Sequence, residues 1–297
     1  MNYRNWIRTF RLRTLFLSLS CIGGGLICAM IDGYNNPLLA MVTLLTCLFL
    51  QILSNIANDY GDSIHGADHS GRKGPLRSVQ SGVITKEQMK TGIIICSGLS
   101  LLSGLLLLYC AIETIGMLGA GILFIFGLLC IVAAIAYTNG SRPYGYMGLG
   151  DLSVFIFFGL LGVMGTYYLQ TGYSNIVCII PAIAYGLLSV GVLNLNNMRD
   201  IESDQTAGKN SIPVRLGLEK AKIYHYSLLL GAAICFTVYT LKMDLNWLFL
   251  LPVYSLLYLN IKAVFDANTP ADFDPLLKFL SFSTFLITIL FYFTLYI

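Results

Sequence analysis

The residues of this chain best placed to do chemistry form two short acidic stripes. In SNIANDYGDSIHGAD, Asn55 and Asp59 are four positions apart and Asp62 lies one turn further, so on a helix all three share a face. In NLNNMRDIESDQ, Asn196, Asp200 and Asp204 follow one another at i, i+4 spacing along a matching stripe. Carboxylates stacked like this repel one another, and at a membrane boundary they are costly to desolvate, so a cation or a partner must compensate them. Hard oxygen donors suit Mg²⁺, which takes one or two carboxylates per ion and completes its shell with waters and phosphate oxygens. Two facing stripes would clamp a diphosphate bridged by metal ions. The expected metal ligands are Asp59, Asp62, Asp200 and Asp204, with Asn55 and Asn196 supporting them. Asn58, Asn197 and the later Asp68 are candidate substrate contacts.

Basic residues follow each stripe in a repeated order. A Gly-basic pair (Gly71-Arg72, Gly208-Lys209) is succeeded by Pro-x-Arg (Pro75 to Arg77, Pro213 to Arg215). Arg binds diphosphate oxygens bidentately and Lys supplies a point charge, so Arg72, Lys73, Arg77, Lys209 and Arg215 are candidates for the leaving group. A third segment, AYTNGSRPYGYMGLGD, sets Tyr137, Tyr144 and Tyr146 around Arg142. Ring faces stabilise a carbocation, and an arginine anchors a carboxylate. Plainer readings exist for each feature taken singly: solvated loop starts, topology signals and an interfacial aromatic belt. Two stripes of matched spacing favour the functional reading. His65 and His69 lie four apart but lack a third ligand for zinc, and His225 reads as interfacial.

The elements that must position these residues are membrane helices. The chain has 297 residues, 56% of them hydrophobic and 11% charged, with a mean hydropathy of +0.74. That is too apolar for an ordinary soluble domain. A net charge of +3 without a block of like charges excludes a nucleic-acid partner. The eight cysteines lie in apolar runs with no Cys-x-x-Cys pair and read as small core filler. Nine segments approach the roughly 20 residues needed to cross a bilayer, centred near 23, 46, 102, 126, 161, 185, 233, 254 and 286. They lack the alternation of a barrel, so they are helices. The basic start followed by an apolar run reads as a retained first span.

With the N-terminus cytoplasmic, every Lys and Arg except Lys242 falls on the inner side, the bias expected of a correct topology. The outer connections are short, whereas the inner loops after the second and sixth spans run to about 30 residues, a length usually reserved for function. The two stripes would then lie on one face, in parallel pseudo-repeats of about 1–145 and 146–262 with a ninth helix added. The chain reads as a single multi-pass domain.

NDYGD with Asp68 downstream, and NNMRD followed by Asp204 and Gly208-Lys209, resemble the two signature motifs of the UbiA superfamily of intramembrane aromatic prenyltransferases. NIANDYGDSIHGAD, GPLRSVQSGVIT, SRPYGYMGLGD and NNMRDIESDQTAGKNSIPVRLG resemble more narrowly the branch that prenylates 1,4-dihydroxy-2-naphthoate in menaquinone synthesis. Asp68 stands six residues after Asp62, where the superfamily often places its third acid four after the second, and this weakens Asp68 as a ligand. The resemblance implies an all-α integral membrane fold around a central cavity open sideways to lipid. It also implies Mg²⁺, a polyprenyl diphosphate donor, a dihydroxynaphthoate acceptor losing CO₂, and a place in the cell membrane with the active loops cytoplasmic. Arg142 and Tyr137 are the expected contacts to the aromatic acceptor. A sibling acceptor such as 4-hydroxybenzoate needs the same clamp. A secondary transporter would instead place its charges near the midplane.

Overall fold

The computed structural model describes residues 3–66 and 77–296. Among the described residues there is helix and turn but no strand. The helices are α1 (Tyr3–Thr9), α2 (Leu12–Ile31), α3 (Pro37–Ile64), α4 (Lys86–Ala136), α5 (Gly150–Thr171), α6 (Ile176–Arg199), α7 (Ile201–Thr206), α8 (Ile212–Leu216), α9 (Leu218–Lys242), α10 (Trp247–Asp266) and α11 (Pro270–Phe293). Eight of them are long and apolar enough to cross a membrane.

The difference between those eight helices and the nine segments read from sequence is α4. Straight, its 51 residues would run roughly 76 Å, more than twice a hydrocarbon core. Gly116, at φ 69° and ψ 171°, breaks it. Ala111 and Ile115 before the break and Ala120 and Leu123 after it pack with Leu39 and Val42 of α3. Met89 and Cys96 on the first arm and Ile131 and Ile135 on the second pack with Leu53 and Ile56. The arms therefore lie side by side along α3, and Gly116 is the tip of a hairpin. Only glycine takes that backbone conformation without strain.

Helix α6 is the most enclosed of the long helices. Its Tyr185, Leu188 and Leu195 lie in the main core with Leu229 and Phe236 of α9 and Leu280, Ile287 and Phe291 of α11. Helix α5 is π-helical over Phe155–Gly165, where Gly159 backs directly onto Gly186 of α6. Such wide turns concentrate at functional positions.

The two ends of the bundle differ. At one, Asp32 accepts hydrogen bonds from Tyr167, Tyr173 (3.4 Å) and Asn175 (3.1 Å), while Gln170 and Asn36 exchange a reciprocal pair at 2.8 and 3.2 Å. These bonds tie α2, α3 and α5 together. The acidic stripes gather at the other end.

Candidate active site

A cavity of about 250 Å³ opens between α2, α3, α4, α5 and α6. Its mouth is polar, lined by Asn55, Asn58, Asp62, Arg77, Tyr137, Tyr144, Asn196, Asn197 and Lys209. Deeper, Leu17, Ile22, Leu50, Phe157 and Phe158 make it apolar. The sequence already dictates this gradient: α3 is mostly apolar through Leu50 and then carries Gln51, Asn55, Asn58, Asp59 and Asp62 in its last turns. Gly61 lets this end approach Thr138, whose backbone and side chain would collide with any β-carbon there. Thr138 and Asn139 in turn donate to the carbonyl of Ala57 at 3.1 and 3.0 Å, which fixes the segment carrying Tyr137 against the first stripe.

The first stripe is buried and fully engaged. Asp59 pairs with Arg11, and its same oxygen lies 3.8 Å from Arg77 Nε. Asp62 pairs with Arg77 and accepts the Tyr146 hydroxyl at 2.8 Å. Asn55 does less than expected of a metal ligand. Its amide donates to Phe10 O (2.8 Å) and Thr14 Oγ1 (3.0 Å), so it holds the α1–α2 junction against α3.

The second stripe comes from the end of α6 and from α7. Arg199 grips Asp200 through two nitrogens at 2.9 and 2.8 Å, and also binds Asn196 Oδ1 (2.9 Å) and Asp274 of α11 (2.8 Å). Lys209 Nζ lies 3.5 Å from Asp204 and 5.5 Å above the Tyr146 ring. Asn197 is buried against the cavity, and its Oδ1 meets no hydrogen-bond partner among the described residues. A buried amide oxygen left in this state seeks a ligand.

Electrostatics join the stripes. Burial opposes the charge on Lys209, but Asp62 of the first stripe and Asp204 of the second, with Tyr137, hold its ammonium above the ordinary lysine range. Burial pushes the Asp204 carboxyl up to about 6, with Lys209 pulling it down and Asp200 and Asp62 pushing it further up. Burial, and then the charge of Asp62, likewise raise the Tyr146 phenol, so it stays a donor. The two stripes therefore face each other across Lys209 and Tyr146.

The compensating cations are the chain's own. Among the described residues no three His, Cys, Asp or Glu side chains gather round one point. All four carboxylates are held by a cation, and Asp62 alone of the four lines the cavity. This still fits Mg²⁺, which asks one or two carboxylates of the protein and takes the rest of its shell from water and phosphate. Asp59 with Asp62, and Asp200 with Asp204, offer two such pairs, and the unpartnered Asn197 oxygen adds a hard neutral donor. Displaced guanidinium groups would then be free for phosphate.

Several sequence expectations move. Arg142 does not reach the site: the chain folds back after it, with Gly145 N donating to Tyr137 O (2.9 Å), so Tyr144 and Tyr146 return inward while Arg142 stays exposed. Tyr137 and Tyr144 do line the cavity, edge to face at 5.3 Å. Arg215 binds Met147 O (2.6 Å) and braces that turn rather than a leaving group. His65 rests on the Tyr146 ring, and His225 is wholly buried and bonded to Asn260 (2.8 Å), not interfacial. Asp68, His69, Arg72 and Lys73 lie outside the described residues. Sequence reasoning missed Arg11, Arg199 and Asp274 as partners of the stripes; it counted the two arginines only as topology signals. Their one signal was an excess of buried acid that had to be neutralised from somewhere.

The model of the UbiA prenyltransferase family matches residues 17–285. The chain is 46% identical over 276 residues to the 1,4-dihydroxy-2-naphthoate octaprenyltransferase of Escherichia coli, covering 92% of this chain and 89% of that one. It is 45% identical over 295 residues to the enzyme of the same name from Haemophilus influenzae, covering 96% and 94%. In three dimensions it superimposes on a UbiA homologue from Archaeoglobus fulgidus bound to GPP and Mg²⁺, with a TM-score of 0.66 and 15% identity over 99% of this chain and all of that one. A homologue from Aeropyrum pernix gives a TM-score of 0.65 at 16% identity, covering 96% and 97%.

Proposed function

The chain belongs to the UbiA prenyltransferase family, and from that premise we propose that it transfers a polyprenyl group from polyprenyl diphosphate to 1,4-dihydroxy-2-naphthoate with loss of CO₂, giving demethylmenaquinol. One observation carries this reading: Asp62 from the end of α3 and Lys209, the partner of Asp204 in α7, meet at the polar mouth of a single cavity whose depth is apolar. A diphosphate fits the mouth and a prenyl tail fits the depth. The names of the relatives in Escherichia coli and Haemophilus influenzae supply the acceptor.

Asp59, Asp62, Asp200 and Asp204 would hold Mg²⁺, with Asn196 and Asn197 beside them, and the metal supplies positive charge to the departing diphosphate. Lys209 and Arg77, already at the mouth, add fixed charge to the same oxygens, the interaction that grows most as the carbon–oxygen bond breaks. The allylic cation left behind develops beside the faces of Tyr137 and Tyr144. The electron-rich ring carbon bearing the carboxylate then forms the new carbon–carbon bond. CO₂ departs without the electron pair of its bond to the ring, and that pair restores aromaticity. Asn58 and Asn197 are the polar groups available to orient the acceptor.

The inner face of the cell membrane is the expected place for this mouth, since the basic residues cluster around it. Counting both arms of α4 as spans gives nine and sets the termini on opposite sides. The stripes with their Gly-basic and Pro-x-Arg followers support an old duplication over about 1–145 and 146–262.

The test is a membrane assay offering one prenyl diphosphate with dihydroxynaphthoate or 4-hydroxybenzoate, with and without Mg²⁺, read by mass spectrometry. The expected product is a prenylated, decarboxylated naphthol formed only with Mg²⁺. Prenylated hydroxybenzoate instead would keep the chemistry and replace the acceptor.

A further inference from the structure

A second cavity, of about 180 Å³, adjoins the first. Both are lined by Ile22, Cys47, Leu50, Cys130, Phe157 and Gly162, which therefore form the seam between them. Beyond it the second cavity extends along α3, α4 and α5 to Leu107 and Leu169, toward the end of the bundle far from the acidic stripes.

The chemistry of this second space is one-sided. Among the described residues no charged side chain lines it. Its hydroxyls are turned back on their own helices: Thr43 to Leu39 O (2.7 Å), Thr46 to Val42 O (2.9 Å), Ser100 to Cys96 O (2.8 Å) and Thr166 to Gly162 O (2.6 Å). What remains is hydrocarbon and the weakly polar thiols of Cys47 and Cys130. An aromatic hydroxy acid would leave its polar groups unpaired there, whereas a prenyl chain has none to pair.

Among the described residues, Phe157 is the only aromatic side chain of the seam. Its neighbours Phe155 and Phe158 pack on the main core, while Phe157 joins none of the buried clusters and lines the two cavities instead. It stands on the π-helical stretch of α5, where the wide turn departs from ordinary helical spacing, with Gly162 on the same stretch. Cys47, Cys130 and Gly162 are small, which leaves Ile22, Leu50 and the larger Phe157 ring as the bulky groups of the passage.

We propose that Phe157 is a length-determining residue for the donor: the second cavity receives the distal part of the prenyl chain, and the Phe157 ring sets which chains pass from the first cavity into it. This rests on the prenyltransferase reading above. A short donor seated with its diphosphate at the mouth ends before the seam. A long one must thread past Phe157 and is held by the apolar space beyond.

The experiment compares farnesyl and octaprenyl diphosphate as donors for the full-length protein in lipid nanodiscs, with Phe157→Ala, Phe157→Trp and Leu161→Trp beside the wild type. Leu161 lines only the second cavity. The octaprenyl-to-farnesyl ratio of kcat/KM should rise about tenfold in Phe157→Ala and fall about tenfold in both tryptophan variants, the scale at which apolar pockets discriminate by size. Binding of unreactive thiolodiphosphate analogues of the two lengths should shift in the same order, which keeps the test open for a variant that has lost turnover. Thermal unfolding identifies any variant that fails to fold, and Phe157→Leu then takes its place. Ratios within about twofold of wild type in every folded variant overturn the proposal. A wild type that prenylates nothing with either donor counts against the function instead, and the analogue series still decides the role of Phe157.

Discussion

Replacing Lys209 with Met tests how the two stripes work together. Lys209 is buried, its ammonium lies 3.5 Å from Asp204, and Asp62 and Asp204 together hold its charge. At that distance and an effective dielectric of about 20, a unit charge pair is worth roughly 5 kcal/mol. Arg77 and solvent take up part of the loss, so about 3 kcal/mol of transition-state stabilisation should disappear, on the order of 10²-fold in kcat/KM. The fold should tolerate the change, because Asp204 already sits at about 6 and takes up a proton once Lys209 is gone. The assay is the initial rate of prenyl transfer in nanodiscs at saturating Mg²⁺, with thermal unfolding alongside. Lys209→Arg should recover part of the rate, and Lys209→Met at more than about a third of wild-type kcat/KM would refute the assignment of this charge to the departing diphosphate.

Asp59→Ala and Asp200→Ala should each abolish turnover while leaving the protein inserted in the membrane, scored by product formation and by fractionation; retained activity with Mg²⁺ supplied would count against the clamp. Arg142→Ala should keep kcat/KM within about threefold of wild type, because the side chain is exposed and away from the cavity. Below about pH 6 a proton competes at Asp204, so the Mg²⁺ concentration for half-maximal rate should climb up to tenfold per unit as pH falls. The same carboxyl is raised above its ordinary 3.8 in the fold, so its share of metal-free stability moves oppositely. That share is largest below 3.8 and is lost as pH rises toward 6, which a Mg²⁺-free unfolding series should register. Gly116→Ala should lower stability by roughly 1–3 kcal/mol through backbone strain at the hairpin tip, measured as a lowered midpoint of thermal unfolding.

Much of the site was legible because its spacing is local. Asn55, Asp59 and Asp62, and Asn196, Asp200 and Asp204, declare a shared helix face within a few residues, and the charge bias along the chain put both stripes on one side. The spans read from sequence near 102 and 126 are the two arms of α4, and the connection between them is the Gly116 hairpin. Pairings across the fold were not legible. Arg11 meets Asp59 and Tyr146 meets Asp62 only because α1, α3 and the segment after α4 pack together. Arg142 misled for a related reason: its neighbours in sequence are the right tyrosines, but the backbone turns between them. The π-helical stretch of α5 has no sequence signature of its own, since Gly and Phe at those positions fit an ordinary helix equally well.

The partners of the acidic stripes have a consequence for biogenesis. Arg11 precedes the first long helix and Asp59 ends the second, so their pair can close only after both have been inserted. Asp200 is held by Arg199, whose other arm reaches Asp274 in the last helix. Until α11 is in place, that arginine lacks its Asp274 partner. The candidate site thus draws on residues from Arg11, before α2, to Asp274 in α11. A chain lacking α11 would carry both signature motifs but leave Arg199 without its Asp274 partner.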